Sequence, residues 1–172
     1  MKTRIPFLVS ALLLAIGLAA WAAQKRSAHA EFVNFHGVRV GHAALEQTNQ
    51  GVRIDLTVFN MPPGIHAFHI HAVGKCDPPD FTTAGPHFNP FAKQHGIKNP
   101  KGPHAGDLPN IDVGSDGRAQ VSVLAADVTL GAGPNSLFHP AGTALVIHQG
   151  EDDYTADPAG NAGARIACAV IK

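Results

Sequence analysis

The chain has 172 residues with 13 basic and 13 acidic side chains, so its formal net charge at pH 7 is zero. This length allows one domain of ordinary size, and the lack of a basic patch argues against nucleic-acid binding. Eighteen glycines and thirteen prolines, beside an aromatic content of 6%, favour a turn-rich β protein over a helical one.

Residues 1–30 are predicted to be a secretory signal peptide. Two basic residues precede an apolar stretch over residues 5–23, and residues 28–30 read Ala-His-Ala, the small-x-small pattern of a cleavage site. An uncleaved membrane anchor is the alternative, because a largely apolar stretch of this length can span a bilayer. In either case we expect the domain over residues 31–172 to be exported, to the periplasm or the extracellular space. It should contact no membrane unless the leader is retained.

The segment after residue 30 shows the signals of short strands. Alternating apolar and polar residues over 38–43 and 52–58 flank turn chemistry at residues 48–51. Further strand candidates, separated by connections that contain Gly and Pro, are residues 65–71, 119–123, 143–148 and 165–171. This pattern predicts an all-β fold, a Greek-key barrel or sandwich of about eight antiparallel strands.

Histidines concentrate between His69 and Asp107, a segment that holds five histidines and three aspartates. His69 and His71 are two residues apart on a predicted strand, so both side chains point to one face and can reach the same metal ion. The rest of the segment contains several prolines and is expected to be a loop. Along it lie His87, His95, His104 and Asp107. Three imidazoles and a carboxylate form a complete four-coordinate set for zinc.

Motifs in this segment and in the last third of the chain resemble those of the copper–zinc superoxide dismutase family. The matching stretches are HIH at 69–71, GPHFNP at 85–90, HG at 95–96, HAGDL at 104–108, LVIH at 145–148 and GNAGARIAC at 160–168. The resemblance covers nearly all of the chain after residue 31. It implies the family's barrel with long metal-binding loops, bound copper and zinc, and conversion of superoxide to oxygen and hydrogen peroxide.

The resemblance also implies which side chains bind each metal. Copper, the redox-active ion, would be held by His69, His71, His87 and His148. Zinc, which has no redox chemistry and holds shape, would be held by His87, His95, His104 and Asp107. His87 would be shared as an imidazolate and would supply a proton to the peroxide product.

Four more residues match positions that have a role in the family. Asp152 corresponds to a carboxylate that links ligands of the two metals. Arg165 corresponds to an arginine beside copper that attracts superoxide. Cys76 and Cys168 match the cysteines of the family's disulfide, and we predict one intramolecular bridge. Two free thiols or an intermolecular bridge are the alternatives.

The electrostatics of the predicted domain are unusual for an enzyme with an anionic substrate. Residues 31–172 contain nine Lys and Arg against thirteen Asp and Glu, a net charge of about −4. The loop between His148 and Arg165 has no lysine, so the charged guidance residues of the family's eukaryotic members are absent. The candidates to replace them are Lys93, Lys98 and Lys101.

Two other functions have to be weighed against dismutation. The first is a non-catalytic copper- or zinc-binding domain of the same fold, which is disfavoured because the chain keeps all four copper histidines. The second is a zinc hydrolase, which is disfavoured because no carboxylate is placed as a general base in a zinc motif. The sequence leaves both a monomer and a homodimer open. The histidines interpreted as structural or surface residues are His36, His42, His66 and His139.

Overall fold

A computed structural model of the protein describes residues 26–172, so the apolar stretch of the predicted leader lies outside the described part. The described chain forms nine strands and one short 3-10 helix. In chain order these are β1 (Ser27–Asn34), β2 (Arg39–Thr48), β3 (Gly51–Val58), β4 (Gly64–His66), β5 (Phe68–His71), the 3-10 helix (Thr82–Ala84), β6 (Ile111–Val113), β7 (Ala119–Ala125), β8 (Ala144–His148) and β9 (Arg165–Val170). The prediction of an all-β fold is confirmed.

Seven strands form one antiparallel sheet in the order β5-β8-β9-β1-β2-β3-β7, and β4 pairs separately with β6. The larger sheet curls into a half-barrel. Its first strand lies between β2 and the last strand β9, so strands far apart in sequence are neighbours, as in Greek-key folds. The turn chemistry at residues 48–51 joins β2 to β3, and Thr48 pairs with Gly51 at the end of that hairpin.

Burial along the strands shows which face packs on the core. In β3 the side chains of Ile54 and Leu56 are fully buried, whereas Arg53 and Asp55 are exposed, which is the period of two expected for a sheet with one wet face. In β5 all four residues are buried. Its Phe68 and Ile70 belong to the hydrophobic core, and its two histidines belong to clusters covered by the loops. β5 therefore packs on the core with one face and supplies two histidines to the candidate site with the other.

The first strand begins earlier than the predicted domain. β1 starts at Ser27, so the expected boundary at residue 31 lies inside a strand. Ala28 and Ala30 are buried and pair with β2, while the backbone of His29 exchanges two hydrogen bonds of 2.9 Å with Lys172. Residues 28–30 thus join the two ends of the described chain. No helix within residues 26–172 is long and apolar enough to cross a membrane.

Cys76 and Cys168 are joined by a disulfide, as predicted. The bridge links the connection that follows β5 to the middle of β9, beside a small buried cluster that includes Phe81 and Val146. Closing a loop of about 90 residues stabilises a fold by roughly 4–5 kcal/mol on the chain-entropy model. Its position also ties the beginning of the longest connection, residues 72–110, to the sheet.

Candidate metal centre

β5 is an edge strand, and the connection that follows it covers the free edge in two passes. In the first pass Phe88 N donates to Ile70 O, and in the second Ile70 N donates to Gly106 O, each at 2.8 Å. The resulting bridges pair His71 with His87 and His69 with Asp107. Backbone hydrogen bonds therefore bring loop residues that are distant in sequence to the two histidines of β5.

Four buried histidines, which we name the strand group, surround one point beside β5 and β8. They are His69, His71, His87 and His148. Each offers one ring nitrogen within 4.8 Å of the others, and the Nε2 atoms of His71 and His148 are 3.4 Å apart. The other ring nitrogens of these two residues face backbone carbonyls, Gly85 O at 2.8 Å and Gly163 O at 3.2 Å, so their Nε2 atoms are free to act as ligands.

A second set, which we name the loop group, gathers around one carboxylate oxygen. Its members are His87, His95, His104 and Asp107. The three Nδ1 atoms lie 2.9, 3.0 and 3.2 Å from Asp107 Oδ1. Bonds of about 2.0–2.1 Å to a tetrahedral zinc ion place neighbouring ligand atoms about 3.3 Å apart, which is close to these values. The other carboxylate oxygen, Oδ2, accepts from Gly96 N and His104 N, which fixes its orientation.

His87 belongs to both groups. Its Nδ1 faces Asp107 at 2.9 Å, while its Nε2 is buried and has no hydrogen-bond partner among the described residues. The rings of His69 and His87 have centroids 4.1 Å apart, and those of His71 and His87 are 4.9 Å apart. One imidazole thus lies between the two groups with a nitrogen directed to each.

Unpaired buried nitrogens test whether metal ions fit these groups. Within residues 26–172 four buried side-chain nitrogens lack a hydrogen-bond partner, and three belong to the two groups: His69 Nδ1, His87 Nε2 and His104 Nδ1, whose 3.2 Å contact with Asp107 Oδ1 lacks hydrogen-bond geometry. Leaving a buried polar atom unpaired costs about 1–3 kcal/mol. One cation in each group would satisfy these nitrogens, so the donor set fits copper and zinc. The fourth is Nε2 of His139, whose ring stacks on Phe88.

The protonation of the strand group also suits metal binding, because a ligating imidazole must be unprotonated. Burial lowers the pKa of His71 to about 2 and that of His148 to about 3, and nearby histidines add to both shifts. Burial likewise lowers the pKa of His87 to about 4, although Asp107 opposes the shift.

In the loop group the carboxylate of Asp107 is charged, and it raises the pKa of the neighbouring His95 imidazole. Burial acts to raise the pKa of Asp107, but contacts with His104, His87 and His95 hold it well below its ordinary value. Burial acts to lower the pKa of His95, but hydrogen bonds to Asp107 and Asp152 raise it to about 9. A cation at this point would replace the proton that His95 holds.

Asp152 links the two groups. Its Oδ2 is 2.9 Å from His69 Nε2, and its Oδ1 is 2.9 Å from His95 Nε2. These contacts place a proton on each Nε2 and leave each Nδ1 as the ligand atom. Gly160 is required here, because it has a φ of 63° and a Cβ at this position would lie 2.7 Å from His95 Nε2 and would clash with Asp152.

Two residues that sequence reasoning missed hold Asp152 in place. Asn110 Oδ1 accepts from Asp152 N at 2.9 Å, and Asn110 Nδ2 donates to Asp152 O at 3.0 Å. Tyr154 N donates to Asp152 Oδ1, and the Tyr154 hydroxyl accepts from Asn110 N, both at 2.7 Å. Neither Asn110 nor Tyr154 belongs to a motif that was matched in the sequence, and their contacts with Asp152 are seen only in the fold.

Arg165 lies at the start of β9, opposite His148 on β8. Its guanidinium donates to Phe81 O at 2.6 Å and to Gly85 O at 2.7 Å, and Gly85 O also faces His71 Nδ1. Arg165 therefore shares a carbonyl with a member of the strand group. The candidate steering lysines are all exposed, and Lys98 lies 5.2 Å from the centre of the Tyr154 ring.

The histidines that were interpreted as structural or surface residues lie outside both groups. His66 is buried between two backbone carbonyls, with Nδ1 2.8 Å from His148 O and Nε2 2.8 Å from Pro62 O. It therefore braces the end of β8 without offering a free nitrogen. His36 and His42 are exposed.

Comparisons with known proteins agree with this geometry. Residues 39–171 match the family model described as copper/zinc superoxide dismutase. Superoxide dismutase (Cu-Zn) 1 of Aquifex aeolicus (strain VF5) is 59% identical over 152 residues, which is 87% of this chain and 90% of that protein. Superoxide dismutase (Cu-Zn) 2 of the same organism is 52% identical over 174 residues, the whole of both chains.

Solved structures show the same likeness. A SOD-like protein from Bacillus subtilis superposes with a TM-score of 0.80 at 41% identity, and the match covers 83% of this chain and 96% of that one. The sequence match, the shared fold and the two joined histidine groups lead to one conclusion: the chain belongs to the copper/zinc superoxide dismutase family.

Proposed function

We propose that the protein is a superoxide dismutase, in which two superoxide ions and two protons become one dioxygen and one hydrogen peroxide. The observation that carries this function is His87, a buried imidazole with one nitrogen directed to each of two four-residue groups. In this proposal the strand group binds copper and the loop group binds zinc. Copper supplies the one-electron redox chemistry, while zinc holds shape.

The surroundings of the strand group act by orienting its ligand nitrogens. β5, β8 and the covering loop hold four imidazoles at one buried point, and Asp152 and backbone carbonyls direct the ligand nitrogens of three of them. Because these side chains are held in place, they would have to move little if a copper ion at the centre of the group changed its charge. His87 Nε2, which has no other described partner, is the atom from which a proton would reach the peroxide product.

Arg165 is proposed to guide the substrate. Its guanidinium is fixed by two backbone carbonyls and lies beside the strand group, and a partly buried cation attracts an anion more strongly than one in bulk water. The three loop lysines are exposed and would act only at long range, where salt screens them.

Measurement of metal content and dismutase activity on one sample tests the function. We expect one copper and one zinc per chain and a rate that falls when copper is removed. The competing function, a metal-binding domain without activity, predicts the same metal content with no dismutation. Either result is read from the same purified protein.

Export is proposed together with a revised boundary. The family membership and the disulfide support an exported protein, and the pairing of residues 28–30 within β1 supports a mature chain that keeps them. We infer that any cleavage occurs before Ser27. Intact mass of the exported protein tests this, because cleavage after Ala30 gives a mass that lacks four strand residues. Light scattering would distinguish a monomer from a homodimer, the two states that the sequence leaves open.

A further inference from the structure

A cavity of about 530 Å³ opens beside the proposed guiding arginine. Its lining includes Arg165, Asp80, Thr82, Phe35 and Pro79. Asp80 is an exposed acidic side chain, so a negative charge lies in the same cavity as the guanidinium-bearing Arg165. The dismutation chemistry has no use for a carboxylate in this position.

The carboxylate of Asp80 is held in place. Its Oδ1 accepts from Thr82 N at 3.0 Å and from the Thr82 hydroxyl at 2.9 Å, and these hydrogen bonds keep the pKa of Asp80 below its ordinary value. The carboxylate therefore stays charged at neutral pH.

The turn that holds Asp80 also holds Arg165. Phe81, which is fully buried, follows Asp80 with a φ of 55°, and its carbonyl accepts from the Arg165 guanidinium at 2.6 Å. No direct ion pair joins Asp80 to Arg165, so the arginine keeps its donors on Phe81 O and Gly85 O. The two opposite charges interact through the cavity, and the interaction opposes the drop in the pKa of Arg165 that burial causes.

We propose that Asp80 is a positioning residue for substrate capture, whose charge weakens the attraction of the Arg165 cavity for anions. This inference rests on the proposed function, since it assigns Asp80 an effect on superoxide capture. A fixed negative charge beside the guiding cation reduces the local positive potential for every anion. Superoxide capture at low salt and the binding of other small anions should both be weaker than they would be if position 80 carried no charge.

Asp80→Asn is the sharpest variant, because asparagine keeps the Oδ1 acceptor for Thr82 and removes only the charge. The control is Asp116→Asn, which changes net charge equally in an exposed turn before β7, where Asp116 Oδ1 accepts from Arg118 N. Two measurements apply to the copper- and zinc-loaded proteins. One is the affinity for azide from an optical titration, and the other is the superoxide rate constant across a salt series.

We expect Asp80→Asn to bind azide about threefold more tightly and to react with superoxide about two- to threefold faster at low ionic strength. Both differences should disappear at high salt, and Asp116→Asn should match the wild type. Asp80→Glu should also stay near the wild type, because it keeps the charge. Zinc content and the disulfide should be unchanged in all variants.

Equal azide affinities for Asp80→Asn, Asp116→Asn and the wild type would overturn the role of Asp80, as would a slower Asp80→Asn enzyme with full metal content. The azide arm is independent of turnover. If the wild type lacks dismutase activity, the proposed function fails. Tighter azide binding by Asp80→Asn would then still support the effect of Asp80 on anions.

Discussion

The strand group and the loop group share His87 but are built differently. Three of the four strand-group histidines lie on β5 and β8, where ladder hydrogen bonds and a buried core fix the backbone. All members of the loop group lie between residues 87 and 107, in a connection without regular strands. The first group is thus positioned by the fold itself. The second depends on isolated backbone bridges to β5, on side-chain contacts, on a disulfide and on the clamp on Asp152.

Because the two groups are built differently, substitutions in them should have different effects on activity and on structure. Loss of a histidine that belongs to the strand group alone should remove the redox chemistry and leave the architecture intact. Loss of a loop-group residue should release the connection and affect chemistry only indirectly. The following predictions test that separation, in order of their expected effect on activity.

His148→Ala should have the largest effect. The side chain belongs to the strand group alone, so we expect activity to fall at least about a thousandfold, equivalent to about 4 kcal/mol of transition-state stabilisation. Zinc content should remain near one per chain, as measured by elemental analysis. A variant that keeps near-wild-type turnover with full metal content would show that His148 is not a copper ligand. His42→Ala, which removes an exposed histidine from β2, is the matched control.

Arg165→Glu should lower the superoxide rate constant at least about tenfold at low ionic strength, because it reverses the fixed charge beside the strand group. Arg165→Lys should lose less, since it keeps the charge but gives up the fork that contacts two carbonyls. Pulse radiolysis across a salt series measures both. An unchanged rate in the glutamate variant with full metal content would remove the guiding role.

Asp107→Ala should abolish zinc binding and reduce activity by about two- to fivefold, a smaller effect because the strand group keeps its backbone supports. Three Nδ1 atoms lose the carboxylate around which they gather. Hydrogen exchange should show faster opening of residues 87–107 and little change in β5 and β8. Unchanged zinc stoichiometry would contradict the assignment, and Asp112→Ala on the exposed side of β6 is the control.

Asn110→Ala should have the smallest effect on activity, less than about twofold, while it weakens zinc binding about tenfold, the lower end for loss of an outer hydrogen-bond partner. The change frees the backbone of Asp152, whose carboxylate orients His69 and His95. Competition with a chelator measures the affinity. Asn135→Ala, which removes a side-chain hydrogen bond in another loop, should leave zinc affinity unchanged.

Two members of the strand group, His69 and His71, were open to prediction from a local pattern, whereas His87 and His148 were assigned to it from the family resemblance. The His69-Ile70-His71 alternation fixes the face of two side chains on any strand, and the motif around His148 is a strand as well. The four members of the loop group could be listed from their residue types as a donor set for zinc, but the sharing of His87 between two metals came from the family resemblance. The geometry of the loop group depends on bridges between residues such as His69 and Asp107, which no local pattern encodes.

The features that sequence analysis missed are tertiary. β1 starts at Ser27 because residues 27–30 pair with β2 and because His29 bonds to Lys172. The small-residue pattern at 28–30 contains no sign of these distant partners. Asn110 and Asp80 are ordinary polar residues in loops. Their roles arise because the fold sets one beside Asp152 and the other beside Arg165.

The central claim is that one imidazole, His87, joins a copper group built on strands to a zinc group built in a loop. Anomalous X-ray diffraction from crystals of the metal-loaded protein, collected at the copper and zinc absorption edges, tests it most directly. We expect one copper peak within bonding distance of His87 Nε2 and one zinc peak within bonding distance of His87 Nδ1. A single peak, or two peaks of which one does not contact His87, would contradict it.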